Sequence, residues 1–393
     1  MGVKRTTRAA ARAMGLATLT AGMLATTGAL AEVKVGSVLS LTGPAASLGI
    51  PEKNTIEILP KTIGGEPVRF IILDDGSEPA NAVRAARKLV DEEKVDFMLG
   101  PTITQTSLAM LEVIAPARTP MISLAGSSII VTPPEGNKAW SFMLAPAETS
   151  MGHYIFRHMA KTGKKTVAFV GFNDAFGDSF LGEMRKLADR NGVKVLADER
   201  FGRTDTSVTA QVLKAMSTSP DAIILGASGT PAVAPILELR KLNYRGNVYG
   251  NQGMANADFL RVGAKALDGV MLPVSPVLVA EQLPDANPVK APGVAYLQAY
   301  EGKYGTNTRS LFGATAWDAF RIADAAVTKA KARARPGTPE FRTALRDAIV
   351  ETREFVGSQG VFTMSDKDHN GTDLRAQVLV GIKDGRWTYI PVE

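Results

Sequence analysis

VDFMLGPTITQTSLAMLEVIAPARTPMISLAGSS, residues 95–128, is the stretch on which the reading of the chain turns. Val95, Phe97, Met98 and Leu99 make a short apolar run of the length of a buried strand. Gly100-Pro101 stops it, since Pro has no amide hydrogen for a ladder and Gly supplies a turn. Thr102, Thr104, Thr106 and Ser107 then place four hydroxyls in six residues, and Leu108, Leu111, Ile114 and Ala115 follow at helical spacing up to Pro116. Pro120 to Leu124 is a second apolar run, which leads into Ala125-Gly126-Ser127-Ser128. If the two strands are parallel neighbours, both small-residue loops lie at the carboxyl edge of one sheet, where open α/β sheets bind ligands. Small residues let backbone N–H groups approach a ligand, hydroxyls donate or accept, and a helix opening near Thr104 adds partial positive charge suited to an anion. The unit reads as a receptor for a small carboxylate. Ordinary strand-to-helix turns capped by Thr use the same chemistry, so spacing leaves that alternative open.

The 393 residues are 45% hydrophobic without repeats, enough for two domains of ordinary size. The first thirty-one differ from the rest. Lys4, Arg5, Arg8 and Arg12 are basic, Glu32 is the first acid, an apolar stretch runs from Met14 to Leu24, and Ala29-Leu30-Ala31 is a small-x-small cleavage signal. A secretory signal peptide cut after Ala31 is expected, rather than a disordered basic arm or a membrane span, for which the apolar stretch is too short. Lys4-Arg5 is not a twin arginine. The leader holds four of the basic charges, so the formal +6 falls to +2 for the remainder. No Lys/Arg run with interleaved aromatics follows, which argues against nucleic acid. Zero Cys excludes a Cys-linked lipid anchor, disulfides and thiol catalysis. An exported, soluble, periplasmic mature chain is expected, with no insertion in the membrane.

Strands are predicted at Val33–Leu39 and Val68–Leu73, the second ending in Asp74-Asp75, with a helix from Pro79 through Val90. Between those strands only a short helix, Asn54 to Leu59, fits the pattern; Ser40 to Gly49 reads as a loop. Near residue 150 the β/α alternation restarts. Strands are predicted at Thr166–Val170, Val193–Leu196, Asp221–Leu225, Asn247–Gly250 and Val270–Val274, with helices between them. Helices are predicted at 294–303, 314–330 and 339–350, and antiparallel strands in the tail around Asp384-Gly385. Two β/α series imply two doubly wound lobes whose strand-end loops face each other across a cleft.

Catalytic signatures are missing. There is no HExxH, no GxxxxGK[ST] and no GxGxxG at a strand end, and Gly226-Ala227-Ser228-Gly229 breaks GxSxG by one position. His153, His158 and His369 have no metal-ligand spacing, and Asp74-Asp75 reads more simply as helix caps than as an acid or metal pair. No enzyme activity, cofactor or metal is expected.

Taken in order, Leu41-Thr42-Gly43-Pro44, Leu73-Asp74-Asp75-Gly76-Ser77-Glu78-Pro79, Leu99-Gly100, Pro120-Met121-Ile122-Ser123, Phe176-Gly177 and Leu239-Arg240-Lys241-Leu242 resemble the branched-chain-amino-acid type of periplasmic solute-binding protein that serves ABC importers. The resemblance spans essentially the whole mature chain. It implies a type I periplasmic binding fold, with residues 32–148 and 275–357 in one lobe, 149–274 and 358–393 in the other, and hinge crossings near 148, 274 and 357. It implies that Thr104, Ala125 and Ser127 hold the ligand carboxylate and that Phe176 covers the ligand body. Departures from the family pattern are informative. Gln252 stands where amino-acid binders place a Glu for the ammonium, Ser228 or Gly229 where they place a Tyr, and Leu48 where they place an aromatic. Neutral Gln offsets a buried ammonium less well than Glu. An amine-free aromatic, keto or short aliphatic acid is therefore expected. An amino acid held through other groups, such as Asn251 or Asp318, is the alternative.

The function expected is capture of one small carboxylate by hinge closure, for delivery to an inner-membrane ABC permease, by a monomer. A sensor domain of the same build, or an exported hydrolase, are the rival expectations. The chain ends soon after Tyr389 without a further segment, which favours transport over sensing.

Overall fold

The computed structural model describes residues 32–392; the leader inferred above, residues 1–31, lies outside them. β1 (Val33–Leu39) is buried towards both faces, with only Lys34 partly exposed, as a central strand covered on two sides must be. It is followed by α1 (Ala46–Ile58), β2 (Thr62–Ile63), β3 (Glu66–Asp74), α2 (Pro79–Arg87), β4 (Phe97–Leu99), α3 (Thr104–Ile114), β5 (Met121–Ser123) and β6 (Ser141–Met143). These six strands form one sheet in the order β2-β3-β1-β4-β5-β6. All pairs are parallel except β2 with β3, and Val35 sits between Phe70 and Phe97.

α4 (Glu148–Lys161) carries the chain into the second series: β7 (Thr166–Phe172), α5 (Ala175–Arg190), β8 (Lys194–Phe201), α6 (Thr209–Ser217), β9 (Ala222–Gly226), α7 (Val233–Lys241), β10 (Asn247–Tyr249), α8 (Ala257–Gly263) and β11 (Val270–Val274). Three helices follow, α9 (Lys290–Tyr304), α10 (Leu311–Ala330) and α11 (Pro339–Val350). The small hairpin β12 (Phe355–Val356) and β13 (Val361–Phe362) then leads to β14 (Val378–Lys383) and β15 (Arg386–Ile390). The second sheet runs β15-β14-β11-β10-β9-β7-β8. β14 adds antiparallel to β11 and β15 antiparallel to β14, a hairpin as the turn at Asp384-Gly385 suggests.

α10 ties the two halves together. Leu311 and Ala314 in its first turn belong to the core of the second sheet, while Ala316, Phe320, Ala323 and Val327 pack with Val35, Phe97 and Ile122 of the first. Residues 275–357, expected in one lobe, divide their packing in the same way. Val277, Leu278, Tyr296 and Tyr300 lie in the second core, and Phe341, Leu345 and Ile349 in the first.

Two local readings are corrected, and one strand was not foreseen. α1 is thirteen residues long and begins at Ala46, in place of a short Asn54–Leu59 helix. Pro51 lies inside it, so that two breakers, Gly49 and Pro51, hid a helix that burial of Leu48 and Ile56 stabilises. Gly49 is needed there because a Cβ would lie 2.2 Å from the Ser40 carbonyl oxygen. β8 runs to Phe201 instead of stopping at Leu196, since an edge strand tolerates Asp198, Glu199 and Arg200 in a segment that does not read as apolar. β6 is a strand of three residues, below the length at which a pattern is visible.

Candidate functional site

Each sheet reverses its strand order beside its first strand. In the first sheet the loops after β1 and β4 part between those two strands; in the second, the loops after β7 and β9 do so. Such switch points leave a crevice at the carboxyl ends. Here the two crevices share one narrow cleft, with a cavity volume of about 30 Å³. Leu48, Thr102, Ile103, Thr104, Leu124, Ala125 and Gly126 line it from the first sheet, and Phe176, Arg203, Ser228, Gln252 and Gly253 from the second. Ala145, Leu311 and Phe312 complete the wall.

On the first-sheet side the dominant feature is the N-terminus of α3. Its N-cap is Ile103, in extended conformation, which offers no side-chain oxygen. The Thr106 and Ser107 hydroxyls turn back and donate to the Ile103 carbonyl at 3.0 and 2.9 Å, so they do not cap the helix either. The amides of the first turn thus keep their partial positive charge at the cleft wall that Thr102, Ile103 and Thr104 form. The Ala125 amide donates to Ser123 Oγ at 3.2 Å, a long bond that leaves it able to share its hydrogen with a second oxygen.

Ser127 does not reach the cleft lining. Its hydroxyl donates to Glu148 Oε1 at 2.7 Å, and Glu148, buried at the start of α4, also accepts from the Ser128 amide at 2.9 Å and the Ser179 hydroxyl at 2.7 Å. A carboxylate reached from three directions claims the hydroxyl expected to serve the ligand.

The second-sheet side is built differently. Asp174 caps α5, accepting from the Phe176 and Gly177 amides at 3.0 and 3.1 Å. Its other oxygen accepts from Arg203 Nε and from Gln105 Nε2 of α3, both at 2.7 Å. The Arg203 guanidinium carbon lies over Phe172, 4.1 Å from the ring centre, and Arg203 donates to Ser228 Oγ at 3.2 Å. Burial works against the Arg203 charge and lowers its pKa; the Asp174 carboxylate offsets this. Phe176 stacks on Phe180 and is fixed at the start of α5.

Gln252 donates from Nε2 to the Pro146 carbonyl at 3.0 Å, and its Oε1 is a buried acceptor without a partner in the protein. Gly126 permits this approach, because a Cβ there would lie 2.4 Å from Gln252 Nε2. Asn251 and Asp318, weighed as ammonium partners, are both committed elsewhere. Asn251 Nδ2 donates to Leu225 and Ala227 carbonyls while its oxygen accepts from Gly253. Asp318 accepts from the Ser358 and Gln359 amides at 2.8 and 2.9 Å. Among the described residues no group of three or more His, Asp or Glu is placed to hold a metal ion, and no helix is long and apolar enough to cross a membrane.

A family model described as periplasmic binding protein matches residues 32–382. The chain belongs to the periplasmic binding protein family. Its fold is the type I fold of that family, and it is a solute-binding protein of ABC-transporter type. An extracellular ligand-binding receptor from Rhodopseudomonas palustris HaA2 is 39% identical, with a TM-score of 0.88 over 92% of this chain and 100% of that one. The Leu/Ile/Val-binding protein BraC3 of Rhizobium johnstonii is 23% identical over 271 residues, 66% of this chain and 72% of its own length. Two more distant structures share the fold. A solute-binding protein of R. palustris in complex with benzoate is 22% identical (TM-score 0.77, 91% of this chain and 95% of that one). LivJ of Streptococcus pneumoniae in complex with isoleucine is 20% identical (TM-score 0.74, 91% and 97%).

Sequence reasoning missed Ala145, Arg203, Leu311 and Phe312 among the cleft residues of this binding protein. Arg203 follows β8, and truncating that strand at Leu196 hid the fact that Arg203 stands at a carboxyl edge like the others. Phe312 comes from the first turn of α10, outside every strand-end loop under consideration, and only its packing with Leu48 and Ile103 brings it in.

Proposed function

We propose that this periplasmic binding protein captures a small carboxylate without a free amine, an aromatic, keto or short aliphatic acid, and delivers it to an inner-membrane ABC permease. The observation that carries the reading is the charge of the cleft: among the described residues Arg203 is the one charged residue in its lining, and no Asp or Glu lines it. An ammonium buried there would lack a counter-charge, whereas an anion meets an uncapped helix N-terminus, with Arg203, across the cleft, already paired to Asp174. The carboxylate would sit at α3, held by Thr104, the first-turn amides and the shared Ala125 amide. Phe176, Leu48 and Phe312 would enclose the body, and Gln252 Oε1 with Ser228 would meet a hydrogen-bond donor at the far end. Ser127 would act only through Glu148. The benzoate-bound relative supports the aromatic-acid reading by analogy of fold.

The unpartnered Gln252 Oε1 favours one second reading, an amino acid whose ammonium donates to it, in line with the relatives named for leucine, isoleucine and valine. Calorimetry against benzoate, hydroxybenzoates, keto acids, leucine and valine separates the two. Tight binding of leucine and valine with none of the acids defeats the first reading. Closure about the crossings near 148, 274 and 357, cleavage after Ala31 and a monomeric state belong to the same proposal; the family match beginning at residue 32 fits the cleavage site.

A further inference from the structure

Behind the first-sheet wall of the cleft lie two carboxyl groups that the ligand reading leaves unused. Glu52 stands on α1 one turn beyond Leu48, Asp75 follows β3, and both are fully buried. Thr102, which lines the cleft, connects them. Its Oγ1 lies 2.5 Å from Glu52 Oε2 and accepts the Ser40 amide at 2.9 Å, while the Ser40 hydroxyl donates to Asp75 Oδ1 at 2.8 Å. Glu52 Oε1 and Asp75 Oδ2 are buried without partners.

The titratable groups around Glu52 are few. Asp75 is the one charged group that acts on it. From α9 the Tyr296 phenol bonds Thr55 at 3.2 Å; from α10 Asp318 is turned to Ser358 and Gln359; Lys53 and Glu57 on α1 itself are half-exposed and pair with each other. Two buried acids with no cation between them do not both stay ionised. Burial pushes the Glu52 carboxyl well above its usual range, and the Asp75 charge adds to this.

A hydroxyl has one hydrogen and two lone pairs. One lone pair of Thr102 Oγ1 takes the Ser40 amide. If Glu52 is ionised, the Thr102 hydrogen must point at it. If Glu52 is neutral, its own hydrogen fills the second lone pair and the Thr102 hydrogen is released towards the cleft. We propose that Glu52 carries a proton and donates it to Thr102 Oγ1, which makes Thr102 a donor to the ligand carboxylate and Glu52 its positioning residue. This rests on the reading that places a carboxylate at α3, and it couples anion binding to retention of one proton.

Two measurements test it. Infrared spectra of the ligand-free protein at neutral pH should show a protonated-carboxyl stretch that Glu52→Gln removes; identical spectra overturn the proposal. Calorimetry with benzoate and with isoleucine, from about pH 6 to about pH 9, should show wild-type affinity falling with rising pH by up to about tenfold per unit. Glu52→Gln, whose amide donates at every pH, should hold the low-pH affinity throughout. Thr102→Val should lose about tenfold or more at low pH and show no slope, and Thr102→Ser should restore both. A slope that survives Thr102→Val, or a flat wild-type profile, overturns the proposal. If isoleucine binds and benzoate does not, the amine-free reading fails alone; if neither binds, both fail.

Discussion

Two helix N-termini meet at the cleft, and they are finished in opposite ways. α5 is capped by Asp174, whose carboxylate satisfies two amides and then takes Arg203 and Gln105 as well. α3 is preceded by Ile103, offers no capping oxygen, and presents Thr102 and Thr104 instead. Both helices have the same backbone dipole, so the difference lies in side chains alone. At α5 the positive end is neutralised and serves to hold the wall; at α3 it is left available for an anion. The ligand's negative end is therefore assigned to the first half of the molecule, and Arg203, already paired, to a supporting part.

The comparison is broken most severely by Asp174→Ala, which removes the cap and strands Arg203. A loss of about 3 kcal/mol of stability in urea denaturation is expected, since both partners are mostly buried. Making α3 resemble α5 is the next test. Ile103→Asp supplies a cap and a negative charge where the ligand carboxylate is placed, and affinity for benzoate or another bound acid should fall by about 100-fold in calorimetry while the fold is retained. Gln252→Glu adds a negative charge at the far end. It should shift preference towards amino acids and away from amine-free acids by about tenfold, read as a ratio of dissociation constants across a ligand panel. Gly126→Ala is expected to act least. Its Cβ displaces the Gln252 amide from the Pro146 carbonyl at a cost of about 1 kcal/mol, visible as weaker binding of ligands whose far end carries a donor.

The opening unit was legible because its parts are local. Phe97–Leu99 and Met121–Ser123 are apolar runs closed by Gly-Pro and Ala-Gly, so strand, loop and helix follow one another without tertiary help. The local pattern pointed to the loops that carry Thr104 and Ala125, and the family pattern singled out these two with Phe176, Ser228, Gln252 and Leu48; all six line the cleft. Ser127 shows the limit of the method. Its position after β5 is as expected, but its hydroxyl belongs to Glu148, a partner twenty-one residues away whose direction no local pattern encodes. Arg203 shows the converse, a charged residue beyond a polar edge strand, invisible to an apolar-run argument. α1 was underestimated because Gly49 and Pro51 are helix breakers in isolation, and burial overrides them.

By itself the sequence determined the β/α grammar, the restart near residue 150, the antiparallel tail and the family, because these rest on hydrophobic period and turn residues that act over a few positions. Tertiary structure decided which polar groups are free. Whether Thr102, Ser127, Asp174 or Gln252 faces a ligand or a neighbour depends on hydrogen-bond partners brought from distant segments. A buried polar group binds whatever the fold places within about 3 Å of it, not what lies next to it in the chain.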